Sequence, residues 1–409
     1  MKKFVLLGIL VVLLPALLFA AGAAEKGAAQ KQKVVFSTGM PDQAWKNTLE
    51  HVIAEANKRL DGIEIVPEYY PSEEDMWKML PAQIVSGAAP DLIGVNNEGV
   101  LELIVNGTLA SLDGLVAQEG FNLAALDQAN VNGWRYEGDL YALPFTTTVS
   151  GLAVNMSMLR AAGINTAPRT VDEMIAAAVA TTDRAKGTYG VGINLHEYHI
   201  TQYVHAVGGG WDFARNLNNA DNRNGLQLVV DLFNKYQVAV TPQQMGLKGD
   251  TDAFASGKVA MTTAGPWYIP ALREMDVDFD WIIVPIPAGK GQKSTVYGWG
   301  LSILNSTKDK SVTMKALAAM LNEDAYEYLV EVRGDIPAMT KYVSRYEELY
   351  PEMAAVLATA DNGSGFDYPA AANRFKSDLV TGMESIIFQR GNTTVNSLLA
   401  AMAADGYAR

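Results

Sequence analysis

The sequence predicts an α/β protein of two domains, each a mainly parallel sheet flanked by helices. Two observations predict this class. Short apolar segments of strand length alternate with amphipathic segments of helix length, and a chain of 409 residues is too long for one compact core. Hydrophobic residues make up 49% of the chain and charged residues 19%, a composition typical of a globular protein rather than a disordered one.

The first hundred residues show the alternation most clearly. Apolar segments at residues 34–37, 63–66 and 91–95 predict three strands. Between them, apolar residues spaced three or four apart from Trp45 to Ala56 predict one helix, and residues 73–86 predict a second that stops at Gly87. Because neighbouring parallel strands need a crossover, usually a helix, this βαβα order predicts a parallel sheet.

The later segments follow the same pattern. We predict strands at 151–155, 189–194, 258–263 and 281–285, helices at 171–181, 225–235, 312–321 and 325–332, and two more helices after Tyr350. In open parallel sheets, ligands bind beyond the carboxyl ends of the strands. The segments that follow strands are therefore where we expect functional residues.

The amino terminus has the features of an export signal. Lys2 and Lys3 precede an apolar run over residues 4–21, and Ala21-Gly22-Ala23 has the A-x-A spacing that a signal peptidase requires. We interpret residues 1–23 as a cleaved signal peptide and residues 24–32 as a flexible tail. A permanent membrane anchor is the alternative, but the run barely spans ~30 Å of hydrocarbon and contains a proline.

Charge and cysteine content exclude several classes of protein. The formal net charge is −13 and the chain has no Lys/Arg-rich run, so its surface would repel nucleic acid. The absence of cysteine excludes disulfides, thiol catalysis and thiolate metal sites. It also excludes a lipid-modified amino-terminal cysteine. An exported protein without that tether needs an outer membrane to retain it, so we expect a periplasmic location.

Several short motifs occur in the order seen in one known family. They are G-x-x-P-D at 87–91, G-x-L-x-x-L-D at 107–113, Y-x-G-x-x-Y-A-L-P at 136–144, A-G-I at 162–164, F-x-x-G-K-x-A-M at 254–261 and G-P-W at 265–267. In this order and behind an export signal, the chain resembles the extracellular solute-binding proteins of bacterial ABC importers, which include maltose- and oligosaccharide-binding proteins.

The resemblance implies the type II, hinge-closing periplasmic-binding-protein fold, in which two α/β lobes close over a ligand. By analogy one lobe would comprise residues 33–143 plus 281–325, and the other residues 144–280 plus 326–409. It also implies the function: the substrate-binding component of an ABC transporter would capture a mono- or oligosaccharide between its lobes and deliver it to a membrane permease. We expect a monomer that uses no cofactor.

A sugar site needs aromatic rings against C–H faces and polar groups that satisfy hydroxyls. Seven Trp and seventeen Tyr supply aromatic surface. Trp267 is the leading candidate, because the resemblance places a sugar-stacking Trp after this strand. Trp299, which lies between two glycines, is the second. Trp211 follows three glycines and is a third candidate, although it could instead pack beneath that turn.

Further candidates follow the predicted strands. They are Asp42 and Trp45 after the first strand, Tyr70 after the second, Asn97 and Glu98 after the third, and Thr148 after the predicted hinge. The resemblance implies a ligand-binding acid at about Glu98. At Thr148 and its neighbours the related maltose binders carry a glutamate, and this departure argues against maltose as the ligand.

A histidine-rich segment allows two interpretations. His196, His199 and His205 lie within ten residues, beside Glu197, and histidines three apart can share a helix face and bind zinc. The segment lacks the H-E-x-x-H pattern, however. The resemblance aligns it with one whose acid and following aromatic residue bind ligand, so we assign Glu197 and His199 as sugar contacts and predict no metal site.

Two other functions remain as alternatives. A protein of the same fold could bind a polyamine, an organic anion or a metal, but aromatic residues outnumber either charge type among the candidate positions. A secreted glycosidase would use paired carboxylates, and no pair lies in a recognisable catalytic motif. We therefore predict a sugar-binding protein without enzymatic activity.

Overall fold

The structure is a computed structural model that describes residues 31–39, 43–291 and 293–407. The predicted signal peptide, residues 24–30 of the predicted tail and Asp42 lie outside these residues. Gln32, predicted to end the tail, begins the first strand. In the described ranges no helix is long and apolar enough to cross a membrane.

The strands form two larger sheets and one short hairpin. They are β1 (Gln32–Ser37), β2 (Ile63–Pro67), β3 (Leu92–Asn96), β4 (Arg135–Tyr136), β5 (Asp139–Leu140), β6 (Leu143–Val149), β7 (Gly151–Asn155), β8 (Tyr189–Gly192), β9 (Ala239–Val240), β10 (Val259–Ala264), β11 (Trp281–Pro285), β12 (Ser294–Ile303), β13 (Ile336–Pro337) and β14 (Gly363–Ser364).

Helices cover these sheets. They are α1 (Gln43–Arg59), α2 (Glu73–Ser86), α3 (Val100–Val105), α4 (Asp113–Glu119), α5 (Gln128–Asn132), α6 (Met156–Ala161), α7 (Val171–Thr181), α8 (Glu197–Ala206), α9 (Ala220–Asn234), α10 (Asp250–Ala255), α11 (Tyr268–Glu274), α12 (Lys310–Met320), α13 (Glu323–Tyr328), α14 (Val343–Leu349), α15 (Ala354–Leu357), α16 (Ala372–Ile387) and α17 (Val395–Asp405). Short 3-10 and π turns join several of them.

The first sheet has the strand order β13-β6-β12-β3-β1-β2, with β14 paired to β12. As the βαβα pattern predicts, β1 pairs in parallel with both β2 and β3. The predicted sheet did not include β12, which runs antiparallel between β3 and β6. The direction has a simple cause: β6 leaves this sheet for the second one, whereas β12 arrives from it.

The second sheet has the order β11-β7-β10-β8-β9. Strands β10, β8 and β9 are parallel neighbours, and β7 runs antiparallel between β10 and β11. Each sheet with its helices forms one lobe. Both sheets are therefore mixed, because each contains an antiparallel strand that enters from the other lobe.

Strand pairing places the lobe boundaries differently from the analogy. Residues 144–149, expected in the second lobe, pair with β12 in the first sheet. Residues 281–285, expected in the first lobe, pair with β7 in the second. Residues 326–337 also join the first lobe, because α13 packs on α1 and β13 pairs with β6. The family motifs locate the strands near the crossings, but they do not show which of the two sheets each strand pairs with.

Within the described residues, the chain therefore crosses between lobes at three places. The first is Ser150, between β6 and β7, where its backbone N–H donates to Thr295 O at 2.9 Å. The second lies between the end of β11 and the start of β12, and the third surrounds β14, which pairs with the start of β12. Three adjacent crossings leave the lobes connected by extended backbone, the usual place for hinge motion.

Helix α16 carries a residue of the candidate site. It buries Phe375, Leu379, Met383 and Ile387, which are spaced four apart and form one face of a helix. That face packs into the second core. Lys376, next to Phe375, lies off this face and extends toward the first lobe.

Candidate functional site

Aromatic side chains from both lobes meet around Tyr198, in the first turn of α8. Its ring centroid lies 5.6 Å from Tyr297 of β12 in the first lobe, and 5.7 Å from both Trp267 and Phe366. Tyr368 stacks on Phe366 at 5.3 Å. We call Tyr198, Trp267, Tyr297, Phe366 and Tyr368 the interlobe aromatic cluster. Tyr198, Phe366 and Tyr368 are buried, whereas Trp267 and Tyr297 are half-buried, so the cluster is a packed aromatic contact where the two lobes meet.

The cluster is joined to the first crossing. The hydroxyls of Tyr198 and Ser150 lie 3.0 Å apart, so the ring at the centre of the cluster contacts the segment that connects the lobes. Burial raises the pKa of both Tyr198 and Tyr297 well above the ordinary value. Both phenols are therefore neutral hydrogen-bonding groups at physiological pH.

Trp267 lies where the sequence predicts it, after β10 and at the start of α11. Its half-buried ring packs against both hydrophobic core clusters and lies 5.7 Å from the Tyr198 ring. The ring lies directly on Gly265, since a Cβ atom there would fall 2.0 Å from Trp267 Cζ3. Glycine at 265 thus permits the close approach that fixes the indole beside Tyr198.

Charged groups lie beside the aromatic cluster. Nζ of Lys376 is 3.7 Å from Glu98 Oε1 of the first lobe and 3.3 Å from Glu197 Oε1 of the second. We call Glu98, Lys376 and Glu197 the interlobe triad. Their side chains are 13%, 18% and 7% exposed, so solvent screens their interactions only weakly. The structure thus brings together two predicted acids, Glu98 and Glu197, from opposite lobes.

His199 belongs to a hydrogen-bonded network inside the second lobe. Its Nδ1 lies 2.6 Å from Thr263 Oγ1 and its Nε2 lies 3.3 Å from Asp250 Oδ1. Tyr268 donates to Asp250 Oδ2 at 2.5 Å. Burial alone would raise the pKa of Asp250, but His199 and the hydrogen bonds outweigh it and hold that pKa well below the ordinary value.

This network supports the candidate site from within the second lobe. It offers no free imidazole nitrogen, because each ring nitrogen of His199 already has a partner. The His199 ring contacts Tyr198 edge-on at 4.9 Å, and Tyr268 follows Trp267 directly. Tyr198 and Trp267, two rings of the aromatic cluster, are therefore each next to a residue of this hydrogen-bonded network. In the part of the chain that the structure describes, no group of three or more His, Asp or Glu residues could hold a metal ion.

The structure places Trp299 and Trp45 together in the core of the first lobe. Their rings form an edge-on pair at 4.9 Å, and they are only 8% and 6% exposed. Trp299 lies on Gly94 of β3, where a Cβ would fall 2.0 Å from its Cζ2. The Arg333 guanidinium lies 5.8 Å from the Trp45 ring centroid. This pair adjoins the crossing strands but is separate from the interlobe aromatic cluster.

The other candidates have structural partners. Tyr70 is buried and its hydroxyl donates to Gln83 Oε1 at 2.5 Å. Asn97 Oδ1 accepts from Gly298 N at 3.2 Å, which extends the pairing of β3 with β12. Thr148 is half-buried and lies opposite Tyr297 in the β6–β12 pair.

Trp211 is a core residue. It has no exposed surface, its indole N–H donates to Thr201 Oγ1 at 2.9 Å, and its ring contacts Phe375 edge-on at 5.3 Å. The structure therefore supports the alternative of packing beneath the glycine turn. We leave Trp211 out of the proposed ligand contacts.

Sequence reasoning missed five residues of this site: Tyr198, Tyr297, Phe366, Tyr368 and Lys376. Two of them carried a usable signal. Tyr198 follows the predicted contact Glu197, and Tyr297 lies two residues before Trp299 on the same strand, so both share a neighbourhood with candidates already identified. Lys376 lies within a helical pattern that offers no local indication of its partners.

A separate surface pocket of about 320 Å³ lies at the opposite end of the strands of the first sheet. It is lined by the start of β1, the segment before β3 and the segment after β12. These are the amino ends of β1 and β3, whereas Glu98 follows the carboxyl end of β3. Only residues of the first lobe line this pocket, whereas the candidate site contains residues of both lobes.

Comparison with known proteins agrees with this architecture. The multiple sugar-binding protein of Streptococcus mutans is 24% identical over 353 residues, which cover 81% of each chain. An ABC substrate-binding protein from Listeria monocytogenes, solved in complex with cycloalternan, matches with a TM-score of 0.82 at 18% identity, covering 92% of this chain and 98% of that one.

A second solved structure is an ABC transporter solute-binding protein from Thermotoga lettingae, bound with α-D-tagatose. It matches with a TM-score of 0.79 at 20% identity and covers 92% of this chain and 99% of that one. These likenesses confirm the predicted two-lobed fold. The model of the family described as "Bacterial extracellular solute-binding protein" matches residues 51–356. Since that match spans most of the chain and agrees with the motifs, the chain belongs to the family of bacterial extracellular solute-binding proteins.

Proposed function

We propose that this protein is the substrate-binding component of an ABC importer and captures a mono- or oligosaccharide between its lobes. The observation that carries the proposal is the interlobe aromatic cluster beside Glu98 and Glu197. Rings offer surface to the C–H faces of a sugar, and carboxylates accept hydrogen bonds from its hydroxyls. The relatives named for multiple sugars, or solved with cycloalternan and tagatose, support a saccharide ligand.

Capture would occur by closure of the lobes. Tyr297 and Glu98 come from the first lobe, and Tyr198, Trp267 and Glu197 from the second. A ligand that contacts both sets binds the closed arrangement more tightly than an open one. That difference in affinity shifts the equilibrium toward closure. The three crossings are where we expect the backbone to rotate.

We propose binding without turnover. A glycosidase holds the scissile bond between two carboxylates. Here the ammonium of Lys376 lies between Glu98 and Glu197, within 3.7 Å of both, in the place that bond would need. The function ends with release of an unchanged ligand to the permease.

A thermal-shift panel tests the ligand class. The purified protein is heated with monosaccharides, oligosaccharides, amines and divalent metals, and a ligand at 100 times its Kd adds ~2.7 kcal/mol to the free energy of unfolding. We expect the largest shift from a saccharide, with Kd at or below about 1 μM by calorimetry. A shift from amines or metals alone would contradict the proposal.

Chromatography of the saccharide after overnight incubation with the protein tests turnover. The best ligand of the panel should be recovered intact and in stoichiometric complex. Appearance of shorter products would support the glycosidase alternative instead.

The cellular role includes export and docking. We propose that the protein acts as a monomer in the periplasm and that its closed form docks on the permease. Mass spectrometry of protein from a periplasmic extract should show a mature amino terminus between residues 20 and 24. Retention of residues 1–23 in the membrane fraction would contradict this part.

A further inference from the structure

The interlobe triad places one cation between two anions that belong to different lobes. Lys376 lies 3.7 Å from Glu98 Oε1, 3.3 Å from Glu197 Oε1 and 5.1 Å from the centroid of the Tyr368 ring. Of these three contacts, the one with Glu98 joins the two lobes. Because the ring of Tyr368 also faces the ammonium, Lys376 is held at the edge of the interlobe aromatic cluster.

Within the triad two carboxylates share one ammonium, and the other oxygen of Glu197, Oε2, lies 3.0 Å from Nδ1 of the exposed His196. Oε2 of Glu98 is buried and has no hydrogen-bond partner among the described residues. A buried acceptor without a donor is costly, so this oxygen favours a ligand that donates a hydrogen bond. An acidic sugar would be disfavoured, because its carboxylate would be repelled by the net negative charge of the triad.

A cationic ligand is disfavoured for a different reason. Its ammonium would bind most strongly between Glu98 and Glu197, and Lys376 already occupies that position. A sugar hydroxyl can donate to Glu98 Oε2 without displacing Lys376. The chain thus contains, as one of its own side chains, the group that an amine ligand would supply.

Taking the proposed interlobe binding site as given, we infer that Lys376 determines the charge class of the ligand. It acts as a built-in cation that makes the site select uncharged saccharides and exclude amines. Removal of its ammonium converts the same two carboxylates into a site for a cationic ligand.

The test measures spermidine binding by calorimetry at low and high salt. Lys376→Met removes the ammonium and retains an apolar stem, and Lys376→Arg keeps the charge. Lys235→Met is the matched control, because Lys235 Nζ lies 3.8 Å from Asp231 on the outer surface of the second lobe. We expect K376M to bind spermidine at least tenfold more tightly than the wild type, and more weakly as salt rises. K376R and K235M should behave as the wild type.

A second variant covers the case in which K376M does not fold, since it leaves two carboxylates unpaired. The double variant Glu98→Gln/Lys376→Met retains only Glu197 and has the same net charge as the wild-type triad. If occupancy by Lys376 excludes amines, the double variant still binds spermidine at least threefold more tightly than the wild type. If only net charge matters, the double variant binds spermidine no more tightly than the wild type.

Three results would overturn the inference: no gain of spermidine binding in K376M or the double variant, an equal gain in K235M, or tight spermidine binding by the wild type. Failure of the wild type to bind any saccharide would instead contradict the proposed function. The two failures are distinguishable because the spermidine comparison does not depend on which saccharide is the ligand.

Discussion

Replacing Gly265 by alanine should displace the Trp267 ring without removing it. The new Cβ would lie 2.0 Å from Trp267 Cζ3 and 2.4 Å from its Cη2. Non-bonded carbon atoms normally approach to about 3.5–4.0 Å, so the indole must retreat by roughly 1.5 Å. Because Gly265 and Pro266 are buried, the backbone has little room to move in the opposite direction.

Two quantities should change. Forcing a methyl group into a filled space costs about 1–3 kcal/mol of the free energy of unfolding. A ring that has moved off the interlobe surface also loses its contact with the ligand. Truncation of an anchoring aromatic costs about 2 kcal/mol or more of binding free energy, which corresponds to roughly a thirtyfold rise in Kd. We expect Trp267→Ala to reach that loss and Gly265→Ala to lose about tenfold.

Calorimetry with the best saccharide and urea denaturation measure the two effects. Gly114→Ala in α4 is the control, because a Cβ there meets no atom within 4 Å. It should leave Kd unchanged and stabilise the protein by up to about 1 kcal/mol. The reasoning is refuted if Gly265→Ala binds the saccharide with wild-type affinity while Trp267→Ala does not, since ring position would then be irrelevant.

Two further predictions concern residues of the second lobe. Trp211→Phe should cost about 2 kcal/mol of stability, since it leaves a space and removes the indole N–H that donates to Thr201 Oγ1, yet Kd should stay constant. A tenfold rise in Kd with unchanged stability would make Trp211 a ligand contact. Burial and the nearby Lys293 lower the pKa of His205 from 6.5 to about 3, so the unfolded chain binds more protons between these pH values and wild-type stability falls as pH drops through that window. His205→Asn, which keeps a partner for Thr295, should remove about 2–3 kcal/mol of the loss between pH 7 and 4.5 in urea denaturation, and an unchanged pH slope would contradict this assignment.

Local sequence patterns predicted the secondary structure well. The helix at 171–181, the strand at 281–285 and the helix at 73–86 ending at Gly87 coincide with α7, β11 and α2. Each has a strong local cause. Thr170 and Glu173 form a capping box, and Gly87 adopts the left-handed conformation that ends a helix. These signals act over a few residues and do not depend on the rest of the fold.

The candidate site was predicted only in part. Trp267, Glu98 and Glu197 were identified because they follow strands or match family motifs, and the structure gathers them where the lobes meet. Trp211 and Trp299 have similar surroundings of glycine in the sequence, yet one is fully buried and the other packs on Trp45. A glycine in the sequence indicates that some group approaches the backbone closely, but it does not identify that group.

By itself, the sequence determined the α/β class, the order of most elements, the family and the side-chain chemistry available for a ligand. Only the tertiary structure decided which strands cross between lobes and which aromatic rings meet there. It also decided that Lys376 lies between Glu98 and Glu197. The physical reason is range: caps and periodicity act between neighbours in the chain, whereas the triad joins groups that are nearly three hundred residues apart and are brought together only when both lobes have folded.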